Sequence, residues 1–275
     1  MRNLDEHTAD GFDRIWRRYG TGGRAPDEAE PSEAFDSFFS IFPLERLAGE
    51  GFDLGCGNGR IARSVAPRAG FLHCIDQSAG ALAAARQALG HRSNVDFLHA
   101  SVDSIPLADG SQDFGYSLGV LHHIPNPAAG LRSCVAKLKR GAPFLLYIYY
   151  SLDNRPGWFR LVWRGSDVAR RAICRLPFPL RAAASTALAA TVYWPLSRAG
   201  RVLRRLGAST ANLPLSSYID RPWVDLKADA LDRFGTSVEH RFSRVEIEKM
   251  MHEAGLRDVR FSEEPPYWVA VGFKS

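Results

Sequence analysis

The hydrophobic pattern changes period repeatedly from about residue 50 onward, where short apolar runs alternate with segments of helical spacing. The apolar runs predict strands at 51–54, 71–75, 94–99, 113–118 and 142–150. The segments between them predict helices at 61–66, 79–89 and 128–138. Strands that alternate with helices indicate a parallel sheet with helices on both faces.

The same alternation resumes near the C-terminus. Ser243 and Glu246 form a capping-box pattern, which predicts a helix that ends at Gly255. Two further strands, 257–261 and 267–273, follow this helix. We therefore expect an α/β fold with a seven-stranded, mainly parallel sheet whose last strand is antiparallel.

One stretch of the chain, 152–242, exceeds what a minimal sheet of this kind needs, and its pattern predicts a helical insertion. We expect a single domain over 1–275 with four parts. These are an N-terminal helical lid, a cofactor-binding core, a helical insertion or cap, and a last helix with a closing strand pair: 1–45, 46–151, 152–242 and 243–275.

Composition narrows the class of protein. The chain has 275 residues, 45% of them hydrophobic, which is enough for one large core. Its four cysteines form no CxxC pair, which favours a reduced protein without a zinc site or disulfide framework. The uncharged stretch 182–197 is shorter than the roughly 20 apolar residues of a membrane-spanning helix. We expect a cytoplasmic location.

The positive charge is concentrated in the insertion. Between Arg155 and Gly207 there are 11 arginines and one acidic residue, Asp167, so the rest of the chain is net acidic. Three functions remain open for this segment: a lid over an anionic or lipid-linked acceptor, peripheral contact with the inner membrane surface through 155–207, or RNA binding. A helical cap with merely solvated arginines is the remaining interpretation. Nucleic acid is disfavoured, because no RNA-binding module is recognisable.

A glycine-rich loop follows the first strand. It runs from Asp53 to Gly59, and a helix begins just after it. Dinucleotide-binding enzymes place a GxGxxG loop here, but their third glycine would fall at Arg60. Asp53 would also bring a carboxylate close to a pyrophosphate. S-adenosylmethionine (SAM) carries an ammonium and a sulfonium instead, and both suit that carboxylate.

A second acidic residue follows the second strand. Asp76 lies 21 residues after Gly55, and an acid at this place accepts hydrogen bonds from ribose hydroxyls. The alternative is that Asp76 caps the next helix. The pairing of Asp76 with Asp53 favours a cofactor site.

Four stretches, 53–59, 76–78, 100–114 and 120–127, together resemble the class I SAM-dependent methyltransferases of the small-molecule methyltransferase-domain type. The resemblance covers about 51–150, with weaker matches at 243–273. It implies a Rossmann-like fold and SAM as cofactor, and it says little about the substrate. Ser101 stands where the family often has Asp, which puts one adenine contact in doubt.

The resemblance also implies the cofactor site. The residues it assigns there are Asp53, Gly55, Cys56, Gly57, Gly59, Asp76, Gln77, Val102, Asp103, Leu118 and Tyr19. In this arrangement the glycines face the methionine part of SAM, Asp76 holds the ribose, and Val102 and Asp103 flank the adenine. Tyr19 belongs to an N-terminal segment, 12–19, that resembles the helix which many relatives fold over the cofactor. The alternative is that this helix packs its aromatic side chains onto the edge of the sheet.

Two adjacent histidines, His122 and His123, follow the fourth strand at the edge where open α/β sheets bind ligands. An unperturbed histidine titrates near neutrality and suits a general base for a hydroxyl acceptor. The alternative is that the pair only orders the loop before Pro125. A metal site is not expected, because neighbouring histidines point in different directions and no acidic cluster completes a shell.

These features predict a biosynthetic enzyme that transfers a methyl group from SAM to a small-molecule acceptor, with oxygen favoured. Two alternatives remain open. One is a SAM-binding protein that transfers no methyl group. The other is a methyltransferase that associates with a membrane surface or with RNA through its arginine-rich insertion.

Overall fold

The computed structural model describes residues 3, 5, 6, 8, 10, 11, 13, 14, 33–210 and 213–275, without the side chain of Ser217. The chain divides into two compact units. The sheet unit comprises Met1–Ser151 and Val238–Ser275, and the helical unit is Leu152–Ser237. Residues 238–242 therefore belong to the sheet unit.

The sheet has seven strands in the order β3-β2-β1-β4-β5-β7-β6. Their bounds are Glu50–Leu54 (β1), Phe71–Asp76 (β2), Val95–His99 (β3), Phe114–Leu118 (β4), Pro143–Tyr147 (β5), Leu256–Phe261 (β6) and Val269–Lys274 (β7). Strands β1 to β5 pair in parallel, whereas β7 is antiparallel to both β5 and β6. The predicted Rossmann-like sheet with an antiparallel last strand is confirmed.

Among the described residues from Glu33 onward, single α-helices precede or separate most of strands β1 to β5, and five helices in succession lie between β5 and β6. These α-helices are Glu33–Phe39 (α1), Ala62–Val65 (α2), Ala79–Leu89 (α3), Pro127–Lys137 (α4), Gly157–Ile173 (α5), Phe178–Leu188 (α6), Trp194–Arg205 (α7), Trp223–Gly235 (α8) and Arg244–Glu253 (α9). Ser243 caps α9 through the predicted capping box with Glu246.

Each face of the sheet carries its own core. On one face, side chains such as Phe52 and Leu146 pack with residues of α4 and α9. On the other face, Tyr116 and Leu145 pack with residues of α1, α2 and α3. Leu145 and Leu146 are both fully buried, so β5 is covered on both faces as its unbroken apolar run predicted.

Strand β5 ends at Tyr147, three residues earlier than the apolar run at 142–150 predicted. Beyond that point the backbone pairs with the returning segment around Phe242 instead of with β4. Phe242 donates its N–H to the carbonyl oxygen of Tyr149 (3.0 Å), and Ser151 donates to the carbonyl oxygen of Phe242 (2.8 Å). The apolar residues after Tyr147 are thus partners of a segment far away in sequence.

The helical unit has a small core of its own, in which residues of α8 such as Leu226 and Phe234 pack with Tyr193. Two of its arginines are interior. Arg170 donates to Asp167 (2.7 Å) and to the carbonyl oxygen of Thr236 (2.8 Å), and Arg181 donates to the carbonyl oxygen of Gly235 (2.8 Å). Within the part of the chain that the structure describes, no helix is both long enough and apolar enough to cross a membrane.

Candidate active site

The strand order places a switch point between β1 and β4, from which the chain continues outward to β2 on one side and to β5 on the other. Open α/β sheets bind their ligands at the carboxyl ends of strands beside such a point. The glycine loop follows β1, and the histidine pair lies in a 3₁₀ turn, Leu121–His123, after β4. Both sequence-predicted groups therefore lie at this edge.

The backbone of the glycine loop needs its glycines. Gly55, Gly57 and Gly59 have φ angles of 79°, 55° and 76°, a left-handed region that side chains disfavour. A Cβ atom on Gly55 would lie 2.2 Å from a methyl group of Val120. The loop after β1 therefore rests directly on the segment that leads from β4 to the histidines.

Asp76 anchors the glycine loop to the end of β2. One carboxylate oxygen accepts the backbone N–H of Gly57 (2.9 Å), and the other accepts the N–H of Ser78 (2.8 Å). The N-cap of α3 is Ser78, whose hydroxyl accepts the N–H of Ala81. Asp76 is thus not the helix cap, which removes the alternative explanation for this residue.

Asp53 lies inside β1 between Cys74 of β2 and Tyr116 of β4. Its side chain is buried, and burial raises its pKa to about 8, with the nearby charge of Asp76 acting in the same direction. Burial also raises the pKa of Asp76. Two buried carboxyl groups that resist ionisation form a site that a cationic ligand would stabilise.

The remaining predicted cofactor residues border the same edge. Val102 and Asp103 form a 3₁₀ turn after β3, with Val102 buried and Asp103 exposed. Leu118 ends β4, and the backbone carbonyl of Gln77 contacts a ring nitrogen of His99 (2.8 Å). Cys56 is buried, and its contact with the Cys74 thiol raises its pKa well above the ordinary value, as does burial.

N-terminal residues contact this edge of the sheet at three places. The amide of Asn3 pairs with the backbone of Asn126 (2.7 and 2.6 Å), and its backbone N–H donates to Asp103. The hydroxyl of Thr8 accepts the N–H of Val238 (3.4 Å). Asp13 accepts the hydroxyl of Ser78 (2.7 Å) at the start of α3. Tyr19 lies outside the described residues, so its predicted contact with SAM stays a prediction.

The two histidines differ in their surroundings. Nδ1 of His123 lies 2.9 Å from the carbonyl oxygen of Val238. His122 is fully buried, its ring stacks on Tyr149 at 3.8 Å, and neither of its ring nitrogens has a hydrogen-bond partner among the described residues. Burial holds the pKa of His122 well below 6.5, so this ring stays neutral near pH 7.

A polar segment from the far end of the chain packs against these histidines. His240 donates its backbone N–H to the carbonyl oxygen of His122 (2.9 Å). The guanidinium of Arg241 lies over the ring of Tyr149 (5.0 Å) and pairs with Glu239 (2.9 Å). No local sequence signal predicts the contacts with His122 and Tyr149, because they join residues 118 and 92 positions apart. Among the described residues no cluster of three potential metal ligands occurs.

Comparison with known proteins agrees with this geometry. Residues 52–146, which run from β1 to the end of β5, match the family model described as a methyltransferase domain. These residues form a methyltransferase domain, and SAM is its methyl donor. The predicted resemblance is confirmed.

Curated relatives extend the similarity beyond the domain. The chain is 27% identical over 167 residues to a ubiquinone biosynthesis O-methyltransferase of Marinobacter nauticus, covering 56% of this chain and 65% of the relative. It is 30% identical over 125 residues to the enzyme of the same name from Xanthomonas oryzae pv. oryzae, covering 45% and 51%. The chain thus spans less than two thirds of the length of these relatives.

Solved structures share the fold. A methyltransferase in complex with the Haloferax volcanii Trm112 activator is 16% identical, with a TM-score of 0.53 and coverage of 95% of this chain and 96% of the other. Human N-acetylserotonin methyltransferase in complex with SAM is also 16% identical, with a TM-score of 0.50 and coverage of 89% and 52%. At this identity both similarities concern the fold.

Proposed function

We propose that this chain catalyses methyl transfer from SAM to a small-molecule acceptor, at a hydroxyl oxygen. The observation that supports the proposal most is the pair of buried carboxyl groups, Asp53 and Asp76, beside the glycine loop, with the histidine pair just across the switch point. When bound, SAM supplies a methyl group activated by the positive charge on its sulfur. The chain binds SAM and the acceptor, orients them for the transfer, and excludes water from the site.

The residues of the β1 and β2 ends fit SAM chemically. Ionisation of Asp53 inside the sheet costs free energy that the cationic groups of SAM offset. Each oxygen of Asp76 already accepts one backbone N–H, and a carboxylate has about four lone-pair sites, so acceptor capacity remains for the ribose hydroxyls. By the family resemblance, Val102 and Asp103 would hold the adenine, Asp76 and Gln77 the ribose, and Leu118 the methionine portion.

His123 is the general base in this proposal. A backbone carbonyl only accepts, so the contact with Val238 places the proton of a neutral His123 on Nδ1 and the basic lone pair on Nε2. Nε2 then takes the proton that the acceptor hydroxyl loses. His122 is a positioning residue, because its buried ring packs against the rings of both His123 (4.0 Å) and Tyr149 (3.8 Å).

The choice of oxygen draws support from the relatives, which are named O-methyltransferases of ubiquinone biosynthesis. A hydrophobic, anionic or lipid-linked acceptor draws support from the helical unit, where exposed apolar side chains and arginines occur together. A bare polar metabolite would use neither feature.

The test is an assay of S-adenosylhomocysteine release with purified protein, SAM and a panel of hydroxylated aromatic acceptors, with and without an alkyl chain. We expect acceptor-dependent release, with faster turnover for alkylated acceptors. A lipid extract serves as an unbiased acceptor source. SAM binding without release above background, for every acceptor and for the extract, contradicts the proposal and favours a SAM-binding protein that transfers no methyl group.

A further inference from the structure

The exposed apolar surface of this protein is concentrated in one segment of the helical unit. Of the 12 large hydrophobic side chains that are exposed among the described residues, 10 lie between residues 158 and 206. They are Trp158, Leu161, Val162, Val168, Leu180, Val192, Trp194, Val202, Leu203 and Leu206. Single exposed apolar residues are ordinary, but a concentration of this kind marks a surface that contacts something else.

Helix α5 arranges four of these side chains in a stripe. Trp158, Leu161, Val162 and Val168 recur at helical spacing and are 52%, 69%, 55% and 70% exposed. Three exposed arginines border the stripe: Arg164 and Arg171 lie on the same helix, and Arg175 lies in the turn just after it. We call these seven residues the α5 face.

The three arginines line an open groove of about 620 Å³, in which Trp163, Val168 and Ala172 supply the apolar wall. The only acidic residue between 155 and 207 is Asp167, and it is 7% exposed. Its two carboxylate oxygens bond to Arg170 (2.7 Å) and Arg171 (2.8 Å). Asp167 also lines the groove, but its carboxylate is nearly buried and neutralised by these two arginines, so an approaching anion meets mainly the guanidinium groups of Arg164 and Arg175.

The next helices also expose apolar side chains together with arginines. Helix α6, a π-helical turn over Ala189–Tyr193 and helix α7 follow one another without a break from Phe178 to Arg205. Leu180, Val192 and Val202 are exposed along this length, and exposed Arg204 and Arg205 lie at its end. The helical unit as a whole has 14 basic and six acidic residues.

We infer that the α5 face is a docking surface for an anionic phospholipid bilayer. The apolar stripe enters the boundary between headgroups and acyl chains, Trp158 lies at that boundary, and the three arginines bind lipid phosphates. This inference goes beyond the proposed methyl transfer and does not depend on it. If both hold, docking brings the enzyme to the surface where a lipid-linked acceptor would reside.

Charge and side-chain type argue against other occupants. A second copy of the chain would bring two sets of these arginines, of like charge, together in a symmetric interface. Single-stranded RNA stacks its bases on aromatic side chains, whereas the stripe is aliphatic except for Trp158. An anionic bilayer complements both the aliphatic stripe and the arginines.

Vesicle co-sedimentation of the full chain tests the inference, with phosphatidylcholine vesicles that contain phosphatidylglycerol and with phosphatidylcholine alone. We expect binding to the anionic vesicles that weakens with salt, and at least tenfold weaker binding to the neutral ones. Each arginine near such a surface contributes about fivefold, so Arg164→Gln, Arg171→Gln and Arg175→Gln together should weaken binding on the order of 100-fold. The matched control replaces three exposed arginines of the sheet unit, Arg132, Arg140 and Arg257.

A second variant removes the apolar contribution. Leu161→Ser with Val168→Ser should weaken vesicle binding about tenfold or more, while circular dichroism and thermal melting stay unchanged because both side chains are exposed. Three results overturn the inference: no binding to anionic vesicles at low salt, equal losses for the two triple variants, or a dimer in sedimentation equilibrium that the double variant dissociates. Binding of single-stranded RNA in preference to the vesicles would equally overturn it.

Discussion

The carboxylate of Asp76 accepts the backbone N–H of Gly57 at an N···O distance of 2.9 Å. This bond joins the end of β2 to the middle of the glycine loop, so one acidic residue both shapes the loop and faces the cofactor edge. The predicted role of Asp76 toward the ribose therefore acts together with a structural role that sequence spacing does not reveal.

Asp76→Asn should weaken SAM binding by about 10- to 100-fold, because charge-assisted hydrogen bonds contribute roughly 1.5–3 kcal/mol. An amide also turns its NH₂ group toward one of the two backbone donors. Isothermal titration measures the dissociation constant. Asp109→Asn is the control, since Asp109 is 73% exposed and bonds to Lys137 on the surface. Equal affinities for both variants would remove Asp76 from the cofactor site.

SAM affinity should rise with pH through about 8, the pKa of Asp53 in the SAM-free protein. Below that pH the buried carboxyl is mostly protonated, and a cationic ligand must drive off its proton, so binding releases up to about one proton. The unfolded carboxyl is ionised above its usual pKa of 3.8, so the SAM-free fold should lose stability as pH rises from about 3.8 toward 8.

Titration calorimetry in buffers of different ionisation enthalpy counts the released protons at pH 7. Asp53→Asn is the control, because it keeps the shape of the site and removes the titrating group, while titration of SAM itself is common to both proteins. Identical proton counts for the native chain and Asp53→Asn would contradict this account of the site.

Gly55→Ala should destabilise the fold by about 1–3 kcal/mol and weaken SAM binding. The new Cβ would meet Val120 at 2.2 Å, and the φ of 79° is strained for alanine. Thermal unfolding measures the loss, and Val120→Ala in the same chain should restore part of it. The control is Gly165→Ala in α5, where the new Cβ meets nothing within 4 Å; this change should stabilise by about 0.5–1 kcal/mol. Similar melting temperatures for the two alanine variants would show that the loop tolerates a side chain.

His123→Ala should lower kcat by roughly 10²- to 10⁴-fold and leave the SAM dissociation constant unchanged, because a general base acts on the acceptor proton. Turnover should recover in part for acceptors whose hydroxyl is more acidic. Exposed His252 supplies the matched control, His252→Ala. Full activity of His123→Ala would eliminate this residue as the base.

His122→Phe should keep the ring stack on Tyr149 and most of the activity. The substitution replaces two buried ring nitrogens that have no hydrogen-bond partner among the described residues with carbon atoms. Such a replacement leaves the free energy of unfolding unchanged or raises it when the side chain keeps its shape. The native His122 has a lowered pKa, so the fold should lose stability as pH falls below about 6.5, by up to 1.4 kcal/mol per pH unit. Chemical denaturation at several pH values measures the free energy of unfolding. Below about pH 6.5 this free energy should fall less steeply with decreasing pH for His122→Phe than for the surface variant His91→Phe. Equal slopes for the two variants would show that His122 does not titrate on unfolding.

Local signals predicted the sheet and the position of the two acidic residues. The hydrophobic periods of strands and helices depend on neighbouring residues, so they can be read from the sequence. The ends of β1 and β2 are adjacent in a sheet of this order, which brings Asp53 and Asp76 close together. Long-range pairing was not predictable. The strand prediction at 142–150 was too long because 149–151 pair with Phe242, a partner that leaves no mark in the local pattern.

The roles of single polar residues depended on the same long-range contacts. The tautomer of His123 follows from the carbonyl of Val238, and the Asn3–Asn126 pair joins positions 123 residues apart. Charge counting treated all 11 arginines of 155–207 alike, whereas Arg170 and Arg181 are interior and hold backbone carbonyls. Burial therefore separates structural arginines from those of the α5 face.

Methyl transfer to oxygen can be followed through the methyl group itself. Purified protein is incubated with SAM that carries an isotopically labelled methyl group and with the best acceptor of the panel, and mass spectrometry follows both products. We predict a labelled O-methyl product equimolar with S-adenosylhomocysteine, at a rate that His123→Ala lowers and His252→Ala does not. S-adenosylhomocysteine without a labelled product, or a label on nitrogen or carbon, would contradict this prediction.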